Sequence, residues 1–319
     1  MEKKFDVITF GESMVLFSPG EKGPLRHIHQ FSKSVAGAES NVAIALARLG
    51  HEIGWFSKMG ADEFGRYIKF MIRGEGIDVS RVIEDEQHQT GLLFKEHFEH
   101  VNTNVYYYRK DSAASFLSID DLDEEYLKSA KILHITGITP AISISARKAV
   151  FKAIDIVRKA GGIISFDPNI RLKLWALEEA KPILLELCRA ADILFPGVDE
   201  GEQLLGIADP KSIIKEFHDM GAKTIALKLG KKGCMVSDGS KTTYVKGYTV
   251  EHIEDSVGAG DGFAAGFLSS YLKGLAIEEC GDYANGVGAM ATLVRGDSEG
   301  FPTYEQLLSF THKATHIDR

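Results

Sequence analysis

The stretch from Asp255 to Leu268, DSVGAGDGFAAGFL, combines small residues with one acidic side chain at the start of an apolar segment. Gly258, Ala259 and Gly260 have little or no side chain, so their backbone N–H groups can approach an anion closely. The helix that the following small apolar residues predict would add the partial positive charge of its N-terminus. These features are typical of a phosphate-binding turn.

Asp261 follows this turn directly and lies in the first turn of the predicted helix. A carboxylate repels a bound phosphate, so phosphate binding alone gives no reason for an acid here. A carboxylate is suited, however, to take a proton from a hydroxyl group that is aligned to attack a phosphoryl group. The pattern therefore predicts a phosphoryl transferase with Asp261 as the base. The alternative is that Asp261 only interacts with the helix dipole and that the glycines only form a tight turn.

Short apolar runs alternate with helix-length amphipathic segments along most of the chain. This alternation predicts an α/β fold, with a doubly wound, mostly parallel sheet and helices on both of its faces. A compact apolar helix is predicted over residues 40–49. The strand-like runs are residues 5–10, 132–135, 163–166, 193–195 and 224–227.

Residues 88–110 have a different pattern, because they are rich in Thr, Val, Phe and Tyr and are punctuated by Asn102-Thr103-Asn104. This composition predicts an antiparallel hairpin, and we expect residues 12–34 to supply partner strands. A small β-sheet added to a doubly wound domain would form a lid over the cleft at the carboxyl ends of the strands. The predicted lid is formed by about residues 12–34 and 88–112.

The sequence DSVGAGDGFAAGF at residues 255–267 resembles the C-terminal motif D-T-x-G-A-G-D of the ribokinase-like, or PfkB, carbohydrate kinases, with Ser256 in place of the usual Thr. Residues 36–50 resemble the N-terminal motif of that family, and residues 60–65, GADEFG, resemble its G-x-D-x-x-G. The motifs occur in the family's order, and the resemblance covers essentially the whole chain. It implies a single ribokinase-like domain over residues 1–319, with three layers and a small β-sheet lid.

The resemblance also implies roles for individual residues in a reaction that uses ATP and Mg²⁺. Asp261 would be the catalytic base. Gly197 replaces the Asn of the family pattern N-x-x-E, in which Glu200 is retained for positioning the metal. The other implied contacts are those of Gly258, Ala259 and Gly260 with the phosphates, Gly37 and Asn41 with sugar hydroxyls, Lys228 and Gly230 with ATP, and Asn285 with the adenine.

Three further residues indicate which sugar is bound. Tyr107 and Arg109 share one face of a predicted lid strand, because side chains alternate along a strand, and Arg171 follows the strand at residues 163–166. Arg forms paired hydrogen bonds with a carboxylate, so two Arg residues at one site favour a sugar acid. The surrounding sequence resembles the 2-keto-3-deoxygluconate kinases, in which a Tyr-x-Arg pair and a second Arg hold the sugar acid. The motif D-P-N-x-R at residues 167–171 also occurs in fructokinase-like relatives, so a neutral-sugar kinase is the alternative.

Two other classes of protein are weaker alternatives. Residues 286–291, GVGAMA, fit the G-x-G-x-x-A pattern of nicotinamide-dependent dehydrogenases, but the residues before them predict a helix and not the strand that this motif requires. A non-catalytic sugar-binding regulatory protein is the other alternative, which the intact Asp261 and its glycine turn disfavour.

The overall composition limits the partners and the location of the protein. A formal net charge of −8 disfavours nucleic-acid binding, and the sequence has no run of 18 apolar residues that would predict a membrane span. Three scattered cysteines disfavour disulfide and zinc frameworks, and we expect a cytoplasmic protein. The resemblance further implies a homodimer or higher homo-oligomer, which exposed lid edges would also favour, and a monovalent-cation site near residues 253–255 and 291–300.

Overall fold

The elements of secondary structure are those of a computed structural model, which describes residues 3–98 and 104–311. The strands are β1 (Phe5–Phe10), β2 (Met14–Pro19), β3 (Phe31–Ala36), β4 (Ile53–Phe56), β5 (Lys58–Gly60), β6 (Ile83–Asp85), β7 (Leu92–Glu96), β8 (Asn104–Tyr108), β9 (Ala130–Thr136), β10 (Ile163–Asp167), β11 (Ile193–Leu194), β12 (Thr224–Lys228), β13 (Gly233–Ser237) and β14 (Thr242–Lys246). The helices are α1 (Ala38–Arg48), α2 (Glu63–Gly74), α3 (Glu124–Lys128), α4 (Thr139–Ile142), α5 (Ile144–Lys159), α6 (Leu177–Ala190), α7 (Val198–Leu205), α8 (Pro210–Asp219), α9 (Ala259–Leu272), α10 (Ile277–Ala291) and α11 (Tyr304–Phe310). Among these helices of the described residues, none is long and apolar enough to cross a bilayer.

The large sheet has eight strands in the order β14-β13-β12-β11-β10-β9-β1-β4. The strands from β12 to β4 are parallel, whereas β13 and β14 extend the β12 edge as antiparallel strands. From β1 the chain continues to β4 on one side of the sheet and later to β9 on the other. The strand order therefore reverses at β1, and the carboxyl ends of the strands beside such a reversal form a ligand-binding crevice. The mostly parallel sheet that the apolar runs predicted is confirmed.

Helices cover both faces of this sheet and form two hydrophobic cores. Helices α1, α9 and α10 contribute Val42, Phe267 and other buried residues to one core, and α5, α6 and α8 contribute Val150 and others to the second. Consecutive residues of β9 enter different cores, because Ile132 lies in the first and Leu133 in the second. The three-layer arrangement predicted from the sequence is thereby confirmed.

A second sheet of four strands has the order β3-β2-β7-β8. The predicted hairpin is confirmed, since β7 and β8 pair antiparallel with Leu93 opposite Tyr107. The strands β2 and β3 from the region 12–34 form another antiparallel pair, and a parallel pairing of β2 with β7 joins the two pairs. Asn102 and Thr103 of the predicted turn lie outside the described residues.

Candidate active site

A cleft of about 1980 Å³ lies between the carboxyl ends of the large sheet and the four-stranded sheet. Asp167 and Lys228 reach it from the ends of β10 and β12, and Leu93 and Val105 reach it from the opposite side. The predicted site residues that line this one cleft are Gly37, Asn41, Tyr107, Arg109, Arg171, Glu200, Lys228, Gly230, Gly258, Gly260 and Asp261. The structure therefore brings together residues from six separate parts of the sequence.

The turn before α9 requires glycine at its first position. Gly258 has a φ of 79°, a left-handed conformation that L side chains rarely adopt. A Cβ atom at Gly258 would also lie 2.0 Å from the carbonyl oxygen of Asp297. The turn leads directly into α9, so its N–H groups stand at the positive end of the helix. This arrangement can hold an anion next to Asp261 in the first helical turn.

The carboxylate of Asp261 is buried at the base of the cleft and is 8% exposed. Asn41, on α1, donates from Nδ2 to Asp261 Oδ2 at 2.8 Å, so one oxygen is fixed and the other stays available. Burial raises the pKa of Asp261 to about 7, against the hydrogen bond from Asn41, which lowers it. A carboxylate with a pKa near neutrality is suited to general base catalysis.

Lys228 stands beside the anion-binding turn with its ammonium group held by Asp167. Its Nζ atom donates to Oδ2 and Oδ1 of Asp167 at 2.7 and 2.9 Å, and a Cβ on Gly260 would lie 4.0 Å from that Nζ. Burial lowers the pKa of Lys228, but attraction to Asp167 and Glu200 outweighs this effect and raises it. Lys228 is therefore a fixed positive charge where phosphate oxygens would lie. Asp167 carries no predicted role, although its place at the carboxyl end of a core strand is a signal for the cleft.

Glu200, the predicted metal residue, lies in the first turn of α7 and accepts hydrogen bonds from two backbone N–H groups. Its carboxylate accepts from Gly197 N at 2.7 Å and from Ile170 N at 3.0 Å, and it lies 3.9 Å from Lys228 Nζ. Within the described residues no group of three His, Cys, Asp or Glu side chains could hold a metal alone. Mg²⁺ is commonly bound by one or two carboxylates together with substrate phosphates, and Glu200 supplies a carboxylate of this type at the cleft.

The four-stranded sheet supplies the other wall of the cleft. Arg109 forms a buried ion pair with Glu12, which follows β1, and Ser112 Oγ donates to Glu12 Oε1 at 2.5 Å. The Arg109 guanidinium lies 5.8 Å from the centre of the Tyr107 ring. Arg171 lines the cleft with no ion-pair partner among the described residues. Glu12 is a residue that the sequence analysis missed, since no motif signals its pairing with Arg109.

The start of α1 lies at this wall too. Gly37 precedes α1, and a Cβ there would lie 2.6 Å from the carbonyl oxygen of Glu12, so only glycine allows this close approach. Asn41 is one helical turn further on and points to Asp261. Gly37 and Asn41, the residues predicted to contact sugar hydroxyls, thus lie between the lid strands and Asp261.

Two predicted residues do not line the cleft in the part of the chain that the structure describes. Ala259 is the first residue of α9, and its side chain packs against the hydrophobic core that α9 forms with α1 and α10. Asn285, on α10, donates to the carbonyl oxygens of Val245 and Lys246 at 3.2 and 3.3 Å. Its amide therefore fixes the end of β14, and its predicted contact with adenine stays a prediction.

The glycine pattern at residues 286–291 does not form a dinucleotide-binding turn. These residues lie inside α10, where Gly286 packs against Leu307 and Gly288 against Ala259. The glycines allow α10 to approach its neighbours closely. Because they lie within a helix and not between a strand and a helix, they do not form the motif of nicotinamide-dependent dehydrogenases.

Comparisons with known proteins agree with this geometry. A 2-dehydro-3-deoxygluconokinase from Bacillus subtilis is 43% identical over 310 residues, which are 96% of this chain and 95% of that protein. A 2-dehydro-3-deoxygluconokinase from Thermoproteus tenax is 36% identical over 95% of this chain and 93% of its own length. A solved structure of a putative ribokinase II from E. coli in complex with ATP and Mg²⁺ superposes with a TM-score of 0.91 at 28% identity, covering 98% of this chain and 100% of that one. Residues 4–304 match the model of the pfkB family carbohydrate kinases, and the chain belongs to this family of sugar kinases.

Proposed function

We propose that this kinase transfers the γ-phosphoryl group of ATP to the terminal hydroxyl of 2-keto-3-deoxygluconate, giving the 6-phosphate. The observation that carries the kinase assignment is the buried Asp261, with a pKa near 7, directly after a turn that can hold phosphate. Two relatives named 2-dehydro-3-deoxygluconokinase support the choice of sugar acid. Arg109, Arg171 and Tyr107 support it independently, because they place two guanidinium groups and a phenol on one cleft.

In this reaction Asp261 accepts the proton of the terminal hydroxyl. The hydroxyl oxygen forms a bond to the γ-phosphorus, the bond from that phosphorus to the bridging oxygen breaks, and ADP leaves with the bond's electron pair. The N–H groups around Gly258, Ala259 and Gly260 and the ammonium group of Lys228 stabilise the negative charge on the phosphoryl oxygens. Gly37 and Asn41 hold the sugar so that its hydroxyl faces Asp261.

The nucleotide side of the cleft contains Lys228 and Gly230, which we assign to ATP. We assign Glu200 to Mg²⁺, and the ion supplies positive charge that neutralises phosphate oxygens when it is bound. The hydrogen bond from Gly197 N holds Glu200 in place, so the carboxylate is oriented without the asparagine of the family pattern. Asn285 stays a predicted adenine contact, and the cytoplasmic location stays a prediction.

The test is an assay of ADP release with ATP and Mg²⁺ over 2-keto-3-deoxygluconate, fructose, ribose and gluconate. We expect turnover with 2-keto-3-deoxygluconate at a kcat/KM at least about 100-fold above that of the neutral sugars, since a lost paired carboxylate contact costs several kcal/mol. Turnover of fructose or ribose instead would retain Asp261 as the base and reject the carboxylate role of Arg109 and Arg171. Asp261→Asn serves as the inactive control.

A further inference from the structure

A buried ammonium group connects the four-stranded sheet to the loops around the anion-binding turn. Lys95, on β7, donates to Asp255 Oδ2 and to Asp297 Oδ1 at 2.8 Å each. The Lys95 side chain is 5% exposed, and those of Asp255 and Asp297 are 10% and 9% exposed. Three charges from distant parts of the chain are thus removed from water together, which is unfavourable unless each is paired.

Both aspartates contact the backbone of the anion-binding turn. Asp255 Oδ1 accepts a hydrogen bond from Val257 N at 3.1 Å. The carbonyl oxygen of Asp297 lies so close to Gly258 that a Cβ there would be 2.0 Å from it. A displacement of either aspartate would therefore move the N–H groups that face the phosphates.

These aspartates lie in the two segments where the family resemblance implied a monovalent-cation site, residues 253–255 and 291–300. The arrangement does not fit a free cation, because the buried carboxylate of each segment is bonded to the Lys95 ammonium, and a second positive charge beside it would be repelled. Burial lowers the pKa of Lys95, but attraction to Asp297 and Asp255 outweighs this effect and raises it. Lys95 is therefore charged at neutral pH.

We propose that Lys95 is a positioning residue that supplies, from the four-stranded sheet, the fixed positive charge which orders the anion-binding turn, so that this kinase does not depend on a free monovalent cation. Lys95 shares the inner face of β7 with Leu93, which lies opposite Tyr107. Sugar binding at Tyr107 and phosphate binding at the turn are then coupled through the paired strands β7 and β8.

The first test needs no variant. We expect the affinity for ADP, the kcat and the midpoint of thermal unfolding of the unmodified protein to be the same in Na⁺, K⁺ and tetramethylammonium chloride at constant ionic strength, within about twofold for affinity and kcat. Activation by K⁺ of about tenfold or more, as a bound specific cation would give, would overturn the proposal. ADP binding is measured by calorimetry without any sugar, so this result does not depend on the proposed substrate.

The second test is Lys95→Met, which keeps the length of the side chain and removes its charge. We expect ADP affinity and kcat to fall by about tenfold or more in tetramethylammonium chloride, because two charged hydrogen bonds are lost. We expect K⁺ or methylammonium to restore part of both and to raise the unfolding midpoint. A folded variant with unchanged ADP affinity and kcat, or a loss that no small cation restores, would overturn the proposal.

The matched control is Lys33→Met on β3, an exposed lysine of the same sheet whose ammonium lies over the Tyr67 ring. It should show no cation dependence. If Lys95→Met does not fold, the double variant Lys95→Met, Asp297→Asn removes one charge of each sign and leaves a single buried carboxylate. We expect this double variant to acquire the same dependence on K⁺, and its absence would count against the proposal.

Discussion

At the scale of single residues, the proposed role of Asp261 as the base predicts how the activity of the kinase depends on pH. Burial raises the pKa of this carboxyl to about 7, and only the ionised form can accept a proton. We expect kcat/KM, which reports on the free enzyme, to fall about tenfold per pH unit below a midpoint near 7 and to level off above it. The measurement is ADP release between about pH 5 and pH 8, and a flat profile over this range would contradict the assignment.

Asp261 also reduces stability, because an ionised group is kept in a buried site. Its pKa is 3.8 in the reference state and about 7 here, so stability falls as the pH rises from 3.8 to about 7. The isosteric Asp261→Asn change removes this charge and can still accept from Asn41. We expect it to abolish turnover and to raise the free energy of unfolding by about 1–3 kcal/mol at pH 8. Denaturant unfolding should show the difference shrinking towards pH 4, and a variant less stable than the parent at pH 8 would contradict this.

Glu12 forms an ion pair with Arg109, which neutralises its charge and fixes the direction of its guanidinium group. Glu12→Gln keeps the shape of the side chain but weakens this contact, so Arg109 loses its orientation towards the sugar. We expect the KM for the sugar acid to rise about tenfold with ADP affinity unchanged. Tyr108→Ser, on the outer face of the same sheet, is the control that should leave KM unaltered. Equal effects of the two variants would show that Glu12 acts only on the stability of the sheet.

These residues differ in how far sequence could predict them. Gly258 and Asp261 lie three positions apart in one short motif, and their residue types alone predict its chemistry. Glu12 pairs with Arg109, and Lys95 with Asp297, across about a hundred or more positions of the chain. A local pattern carries no signal for such pairs, because the fold and not the spacing brings them together.

At the scale of elements, the turn that opens α9 is the least tolerant of change. Gly258→Ala would place a Cβ 2.0 Å from the Asp297 carbonyl oxygen at a φ of 79°. We expect it to lose about 2–4 kcal/mol of stability and to reduce kcat about 100-fold, because the backbone must shift in the turn that we assign to the phosphates. Thermal unfolding and ADP release measure both effects.

Gly274, just beyond the other end of α9, provides the matched control. Its φ is 71°, but an added Cβ would meet no atom within 4 Å. Gly274→Ala should therefore cost only about 1 kcal/mol for the left-handed backbone and leave kcat unchanged. A loss of kcat in Gly274→Ala equal to that in Gly258→Ala would mean that both act through general destabilisation.

The strands and helices themselves were largely predictable from apolar runs and their spacing. The strands β1, β9, β10 and β12 fall where short runs of buried residues occur. The parallel pairing of β2 with β7 was not predictable. Val15 and its partner Leu92 are 92 − 15 = 77 positions apart, so no turn links these strands, and either direction of pairing suits their composition. The wall of the cleft that carries Arg109 and Lys95 depends on that pairing.

At the scale of the whole molecule, the four-stranded sheet leaves β8 as an edge in the described part of the chain. Its residues Tyr106, Tyr107 and Tyr108 are 45%, 42% and 67% exposed. An aromatic edge strand of this kind pairs readily with another chain, and the predicted homodimer would cover it. Light scattering during gel filtration should then give twice the 35.0 kDa mass of the chain.

The double change Tyr106→Lys, Tyr108→Lys tests whether this edge forms the contact. Both residues lie on the face away from the cleft, so the side chains that we assign to the sugar are left in place. Charge repulsion between two copies should favour the monomer. If the dimer positions the sheet over the cleft, the monomeric variant should show a higher KM for the sugar. Its affinity for ADP should be unchanged, because Lys228, which we assign to ATP, lies at the end of β12 in the large sheet. A parent protein that is monomeric at assay concentration, or a variant that stays dimeric, would exclude β8 from the interface. The position of the lid would then depend on contacts within one chain, among them the buried bonds of Lys95 to Asp255 and Asp297.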